Sequence, residues 1–247
     1  MFEKMKCQNK VAIVTGAAGD GIGRSTALTL AREGAKVVIN YRTNFNGADG
    51  VLRHLQEYGV EGFSFQADVN EESDCKSLID ASMKKFGRID ICIIGPGGGW
   101  HPQPIESLDT LGALDDAQKE LAPLYNLLPL LLPGMYERNW GRIIGLSMDL
   151  TKLSPSFAYN AAKAARNNAL LMASNSTWQH DVTVNSICPG PINTQPDLDS
   201  AVELCNHGDA WLKRDNITPQ DIAEGIALLC SEEGRFLNGC ELRYAFK

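Results

Sequence analysis

What the 247-residue chain lacks already narrows its class. Its longest apolar run, Leu127 to Leu132, is interrupted by Pro129. It falls far short of the roughly 20 residues that span a bilayer, so no membrane partner is expected. The first ten residues are charged and carry no apolar stretch of a signal peptide. No run of Lys or Arg forms a stripe, and the net charge is −7, so nucleic acid is not expected as a partner either. The seven cysteines are odd in number and contain no CxxC pair. That pattern suits reduced thiols in a cytoplasmic setting better than a disulfide framework or a zinc site. The histidines His54, His101, His180 and His207 share no ligand spacing, so no metal is expected. No linker rich in Gly, Ser or Pro divides the chain, which reads as one domain over 1–247.

What is present is alternation. Apolar runs of four to six residues lie at Val11–Thr15, Lys36–Asn40, Gly62–Gln66, Ile89–Ile94, Arg142–Leu146 and Thr183–Ile187. They are rich in Val and Ile without strict in-and-out alternation, as strands covered on both faces are. Helical patterns fill the gaps at Gly23–Glu33, Asn46–Tyr58, Glu71–Phe86, Leu114–Arg138 and Phe157–Trp178. Pro219–Leu229 and Cys240–Tyr244 add a last helix and strand. Strand–helix alternation with short connections implies βαβ units, hence an α/β fold with a doubly wound, Rossmann-type parallel sheet between helices. Two stretches carry no clear pattern, Pro96 to Leu111 and Asn193 to Asn216. Both follow strands at their carboxyl ends, where open sheets of this type bind ligands.

The first strand ends in Thr15-Gly16-Ala17-Ala18-Gly19-Asp20-Gly21-Ile22-Gly23, and a helix starts at once. A pyrophosphate needs bare backbone N–H groups, hence glycine where a Cβ would block it, and the helix amino terminus adds about half a positive charge. The strand–turn–helix context is what makes such a glycine pattern informative. Later, Tyr159-Asn160-Ala161-Ala162-Lys163 places a phenol and an ammonium one turn apart on a helix face. A free phenol has a pKa of about 10, and a nearby ammonium is expected to lower it. Downstream lies Val182-Thr183-Val184-Asn185-Ser186-Ile187-Cys188-Pro189-Gly190-Pro191-Ile192-Asn193-Thr194.

From Lys10 to about Arg243 the chain resembles the short-chain dehydrogenase/reductase family. The resemblance implies an oxidoreductase that moves a hydride between a nicotinamide cofactor and a small-molecule carbonyl or alcohol, with Tyr159 as acid or base. Lys163 would orient the nicotinamide ribose. The implied cofactor site comprises Gly16, Asp20, Gly21, Ile22 and Gly23 of the phosphate loop, Asp68 and Val69 at the adenine, and Gly95 after the fourth strand. Pro189, Gly190, Ile192 and Thr194 would meet the nicotinamide. The loop holds one residue more than the family pattern between Gly16 and Gly21. At the end of the second strand, where relatives that prefer NAD carry Asp, stands Tyr41, followed by Arg42. A guanidinium suits a 2′-phosphate, so NADP is favoured, with NAD as the alternative. Asp20, where relatives that prefer NADP often have a basic residue, points the other way.

The rest of the family's catalytic set is altered. Aligned from Gly141-Arg142, the family's Ser place falls on Met148, with Ser147 adjacent. A bulge would be needed to turn Ser147 inward, because neighbours on a strand face opposite ways. The family's Asn on the preceding long helix falls at Glu120; Asn126, six residues on, occupies a different face. The Asn-Asn-Ala-Gly after the fourth strand is replaced by Ile94-Gly95-Pro96-Gly97, without side chains to brace the sheet. Pro123 and Pro129 should kink the long helix. Trp100, His101 and Trp211 are candidates for lining a substrate pocket, the last in a substrate loop at about 193–216. The resemblance also implies a homodimer or homotetramer through the two long helices. Two other functions remain open: a cofactor-binding sensor or scaffold without reductase activity, and an isomerase or dehydratase with Glu120 as base.

Overall fold

The structure is a computed structural model and describes residues 5–97, 101, 103–150, 156–195, 197–208 and 216–244. Seven strands form it: β1 (Val11–Val14), β2 (Lys36–Tyr41), β3 (Gly62–Gln66), β4 (Ile91–Ile94), β5 (Gly141–Leu146), β6 (Val182–Cys188) and β7 (Glu241–Arg243). Seven helices connect them: α1 (Ile22–Arg32), α2 (Phe45–Glu57), α3 (Glu72–Phe86), α4 (Thr110–Arg138), α5 (Phe157–Thr177), α6 (Leu198–His207) and α7 (Pro219–Cys230). All strands pair in parallel, in the order β3-β2-β1-β4-β5-β6-β7. This is the doubly wound Rossmann-type sheet expected from the alternation. Winding reverses between β1 and β4, and the crevice at a reversal is where such sheets bind ligands.

The strands are apolar on both faces because both faces are covered. On one side Ala12, Val14 and Ile39 pack with Leu28 and Leu30 of α1, Leu55 of α2 and Ile226 of α7. On the other, Ile13, Cys92 and Ile143 pack with Leu78 of α3, Leu124 and Leu127 of α4 and Leu170 of α5. All seven cysteines are free thiols, six of them buried. Burial first, then the Glu33 charge, pushes Cys7 up to about 12, which leaves it an inert core residue.

One expectation needs correction. The stretch 193–216 is not irregular throughout, for it contains α6, whose amino end is capped by Asp197 accepting from Ser200 N at 2.7 Å. Interleaved polar residues hid the helix from a reading based on apolar runs. The expected kink at Pro123 and Pro129 does not end the long helix: α4 runs through Pro123, Pro129 and Pro133 as one element of 29 residues. Its apolar residues (Leu124, Leu127, Leu131 and Met135) lie in the core and hold it against the sheet despite the donors its prolines lack. Of the apolar residues noted on the two long helices, Leu124, Leu127, Leu131 and Leu170 are core, whereas Leu171 and Met172 are exposed.

Candidate functional site

The carboxyl ends of β1 and β4 open into a groove with two arms that share Gly16 and Pro96. The first arm runs past the ends of β2 and β3, between Gly16, Tyr41, Arg42, Asp68 and Val69. The second runs toward β5 and α5, between Gly21, Ile22, Gly23, Gly95, Ser147, Lys163 and Ile192. Most of the residues expected to hold a dinucleotide thus line one continuous depression.

The turn between β1 and α1 supplies the bare backbone. Gly16 has φ +65°, a left-handed conformation, and a Cβ there would stand 3.0 Å from Pro96 Cγ. A Cβ at Gly23 would stand 2.5 Å from Gly16 O, so only glycine lets α1 start this close to the strand. At Gly19 and Gly21 a Cβ would meet nothing within 4 Å, so the loop presents backbone to open space. Asn40, buried at the end of β2, fixes the loop: its Oδ1 accepts from Gly16 N at 3.3 Å and its backbone O from Ala17 N at 3.0 Å. An open, amide-rich turn at a helix amino terminus fits a pyrophosphate, and the residues present fit a dinucleotide along both arms.

At the first arm, Tyr41 turns into the core and stacks edge-on with Phe45, while Arg42 stands exposed and faces Asp68 at 3.7 Å. Burial alone would raise the Asp68 carboxyl, but hydrogen bonds from Asn70 and the Arg42 charge outweigh it and hold the group below its ordinary value. Asn126 donates to Val69 O and Asn70 O at 3.1 and 3.0 Å, so it braces this arm and takes no part in the second. Asp20 is exposed, and its backbone O accepts from Gln195 N at 3.0 Å, tying the segment after β6 over the phosphate loop. Thr194 in that segment is exposed; Pro189 is buried, with its O accepting from Asp149 N at 3.0 Å; Gly190 is half-buried beside it.

At the second arm, Tyr159 and Lys163 lie together on α5, with Lys163 Nζ 5.4 Å from the centre of the Tyr159 ring. Lys163 Nζ also pairs with Glu120 Oε1 of α4 at 2.8 Å. Glu120 is fully buried, and its Oε2 lies 3.2 Å from Nη1 of the equally buried Arg166. Gly97 lies close against the Glu120 carboxylate, which a Cβ there would have to push aside. The lowered phenol expected from Lys163 is not what these surroundings produce. Burial, then the Glu120 carboxylate, raises the Tyr159 phenol, and Arg166 opposes them. Lys163 is itself paired with Glu120, and its own burial lowers the ammonium. Ser147 lines the arm at the end of β5, and its Oγ donates to Lys163 O at 3.4 Å; Met148 is half-buried beside it.

Arg166 escaped the sequence reading. The signal for it was Glu120: a carboxylate on the helix that faces α5 needs a cation, and Arg166 sits one turn beyond Lys163 on the same face. His101 pairs with Asp116 at 3.2 Å in a neighbouring depression that Ala158 also lines. Trp100 and Trp211, the other pocket candidates, lie outside the described residues.

A family model described as enoyl-(acyl carrier protein) reductase matches residues 16–244. The chain belongs to the short-chain dehydrogenase/reductase family. It is 31% identical over 243 residues to 7α-hydroxysteroid dehydrogenase of Bacteroides fragilis, covering 94% of this chain and 91% of that one. It is 29% identical over 237 residues to a 3-oxoacyl-[acyl-carrier-protein] reductase of Staphylococcus epidermidis, covering 94% and 95%. Among solved structures, a 7α-hydroxysteroid dehydrogenase complexed with NADH and 7-oxo glycochenodeoxycholic acid superposes with a TM-score of 0.83. The identity there is 26%, over 99% of this chain and 96% of that one. The chain is accordingly an oxidoreductase of this family. No helix among the described residues is long and apolar enough to cross a membrane.

Proposed function

We propose that the chain is an NADP-dependent oxidoreductase acting on a small carbonyl or alcohol, with Tyr159 moving the proton. The observation that carries this reading is the juxtaposition, in one groove, of a glycine phosphate turn with Lys163, whose Nζ lies 5.4 Å from the centre of the Tyr159 ring. A nicotinamide cofactor, when bound, supplies or accepts the hydride. Gly16, Gly21, Ile22 and Gly23 hold its phosphates, Asp68 and Val69 its adenine, and Gly95, Pro189, Gly190, Ile192 and Thr194 frame the far end. Lys163 orients the ribose, Ser147 is the hydroxyl nearest to polarise a substrate oxygen, and Tyr159 gives or takes the proton at that oxygen. NAD remains the alternative cofactor, as does the homodimer or homotetramer that the exposed Leu171 and Met172 would serve. The free, mostly buried thiols accord with a reducing, cytoplasmic setting.

The isomerase reading loses its base, because Glu120 is fully buried between two cations rather than open to a substrate. Glu120 and Met148 motivate the scaffold reading, and the retained Tyr159–Lys163 pair counts against it.

Arg42→Ala tests the cofactor assignment. A charge-assisted contact to a phosphate is worth roughly 1.5 to 3 kcal/mol, so NADP affinity should fall about 10- to 100-fold while NAD affinity barely moves. Equal losses in a fluorescence titration of both reduced cofactors would remove Arg42 from that role.

The direction of the Tyr159 shift fixes a pH dependence. With the phenol raised, its protonated form, the acid of carbonyl reduction, persists through neutral pH. Reduction should therefore hold steady across neutrality and fall only as pH climbs through the raised phenol value. Alcohol oxidation, which needs the base form, should rise over the same range. Steady-state pH profiles in both directions check this. A reduction rate that already halves between weakly acid and neutral pH would point to another acid.

A further inference from the structure

Resting on the proton role proposed for Tyr159, we infer that Arg166 is a positioning residue that restores to the site the positive charge Glu120 would otherwise cancel. The resemblance implies an Asn at Glu120 and bracing side chains along Ile94-Gly95-Pro96-Gly97; in this chain the buried Arg166 joins those two segments.

The geometry shows how. Arg166 is fully buried. Its Nη2 donates to Ile94 O at 2.6 Å, and its Nη1 donates to Pro96 O at 2.9 Å and to Glu120 O at 3.0 Å. The guanidinium thus clamps the carboxyl end of β4, the wall of the groove, to α4. Its Nη1 also lies 3.2 Å from Glu120 Oε2, while Glu120 Oε1 is taken by Lys163 at 2.8 Å.

A brace alone does not require a guanidinium. Burying a cation is costly, and replacing such a pair by fitted apolar residues is often neutral or stabilising. Here the Arg166 Nε is buried with no hydrogen-bond partner among the described residues, so the cost is not fully offset. The charge count supplies the reason. Glu120 and Lys163 alone sum to zero, and a neutral pair offers a phenolate little help. With Arg166 the three groups sum to one positive charge beside Tyr159. Among the described residues, Glu120 from α4 raises the Tyr159 phenol and Arg166 from α5 lowers it, with Lys163 against the ring. Arg166 also holds one carboxylate oxygen, so the Lys163 ammonium shares Glu120 instead of neutralising it alone and can turn to a ribose hydroxyl.

The test reads Tyr159 ionisation by ultraviolet difference titration of the whole protein, with the signal of Tyr159→Phe subtracted. A nearby charge moves a pKa by about one unit or more. Glu120→Gln should bring the Tyr159 midpoint down by about one pH unit, and Arg166→Gln should take it up by a similar amount. Arg166→Lys, which keeps the charge and loses the fork, should stay near wild type. A purely structural Arg166 would make the Lys and Gln variants alike, and that result overturns the inference; Glu120→Gln, whose own charge raises the phenol, shows that the titration reads the neighbouring charges. Should Arg166→Gln fail to fold, Arg166→Gln is made in the Glu120→Gln background and compared with Glu120→Gln alone: an upward midpoint supports the charge role, and an unmoved or lowered one ends it. Turnover plays no part in this titration, so its failure is separate from failure of the oxidoreductase reading.

Discussion

Replacing Tyr159 with Phe is expected to lower turnover by about 10² to 10⁴-fold while leaving cofactor affinity within about twofold, since a positioned proton donor contributes about that much to rate. The ring is kept, so packing on α5 and the 5.4 Å approach of Lys163 should persist. The loss should fall on kcat rather than on KM, because the phenol acts on charge that develops at the substrate oxygen. Ser147→Ala belongs in the same assay. Its hydroxyl already donates to Lys163 O at 3.4 Å, and it must exchange that bond to serve a substrate. If it does, removal costs on the order of 10² to 10³ in rate. Unchanged turnover in Ser147→Ala would assign the hydroxyl to holding the Lys163 turn and nothing more. A Tyr159→Phe variant that keeps most of its turnover would take the proton role away from Tyr159.

The largest effect on stability is expected from Arg166→Leu. Leucine removes donors from Ile94 O, Pro96 O and Glu120 O, and strips one cation from a carboxylate with no exposed surface. Breaking a buried pair from one side costs about 3 to 5 kcal/mol. For a chain of this size each kcal/mol lowers Tm by roughly 2 to 4 °C, so a drop on the order of 10 °C is predicted. Adding Glu120→Gln to it should recover part of that loss, because the stranded charge is then gone. A Tm within about two degrees of wild type in Arg166→Leu would mean that the guanidinium is compensated by something other than these partners.

How much of this was legible from sequence depends on the length scale of each interaction. The strands from β1 to β6 and most helices announced themselves through apolar runs and their spacing, because burial on both faces leaves a continuous apolar signature. The phosphate turn was equally plain, since the close approach of Gly23 to Gly16 admits no side chain and therefore writes itself into the sequence as glycine. The helix α6 was hidden because only Ala201 and Cys205 of its apolar residues are buried, and polar residues interleave them. The Tyr159 shift was misjudged for a different reason. Spacing along α5 showed the phenol and the ammonium, but Glu120 comes from α4, and only the packing of the two helices reveals which cation it claims. Charges that meet across elements leave no periodicity.

Cofactor binding and turnover in one experiment test the central claim most directly: titrate the protein with NADPH by fluorescence, then follow NADPH consumption over a panel of ketones and aldehydes. The account predicts saturable binding and steady consumption with at least one carbonyl, abolished in Tyr159→Phe. Tight binding with no consumption on any member of a broad panel would contradict it and leave a nucleotide-binding protein in its place.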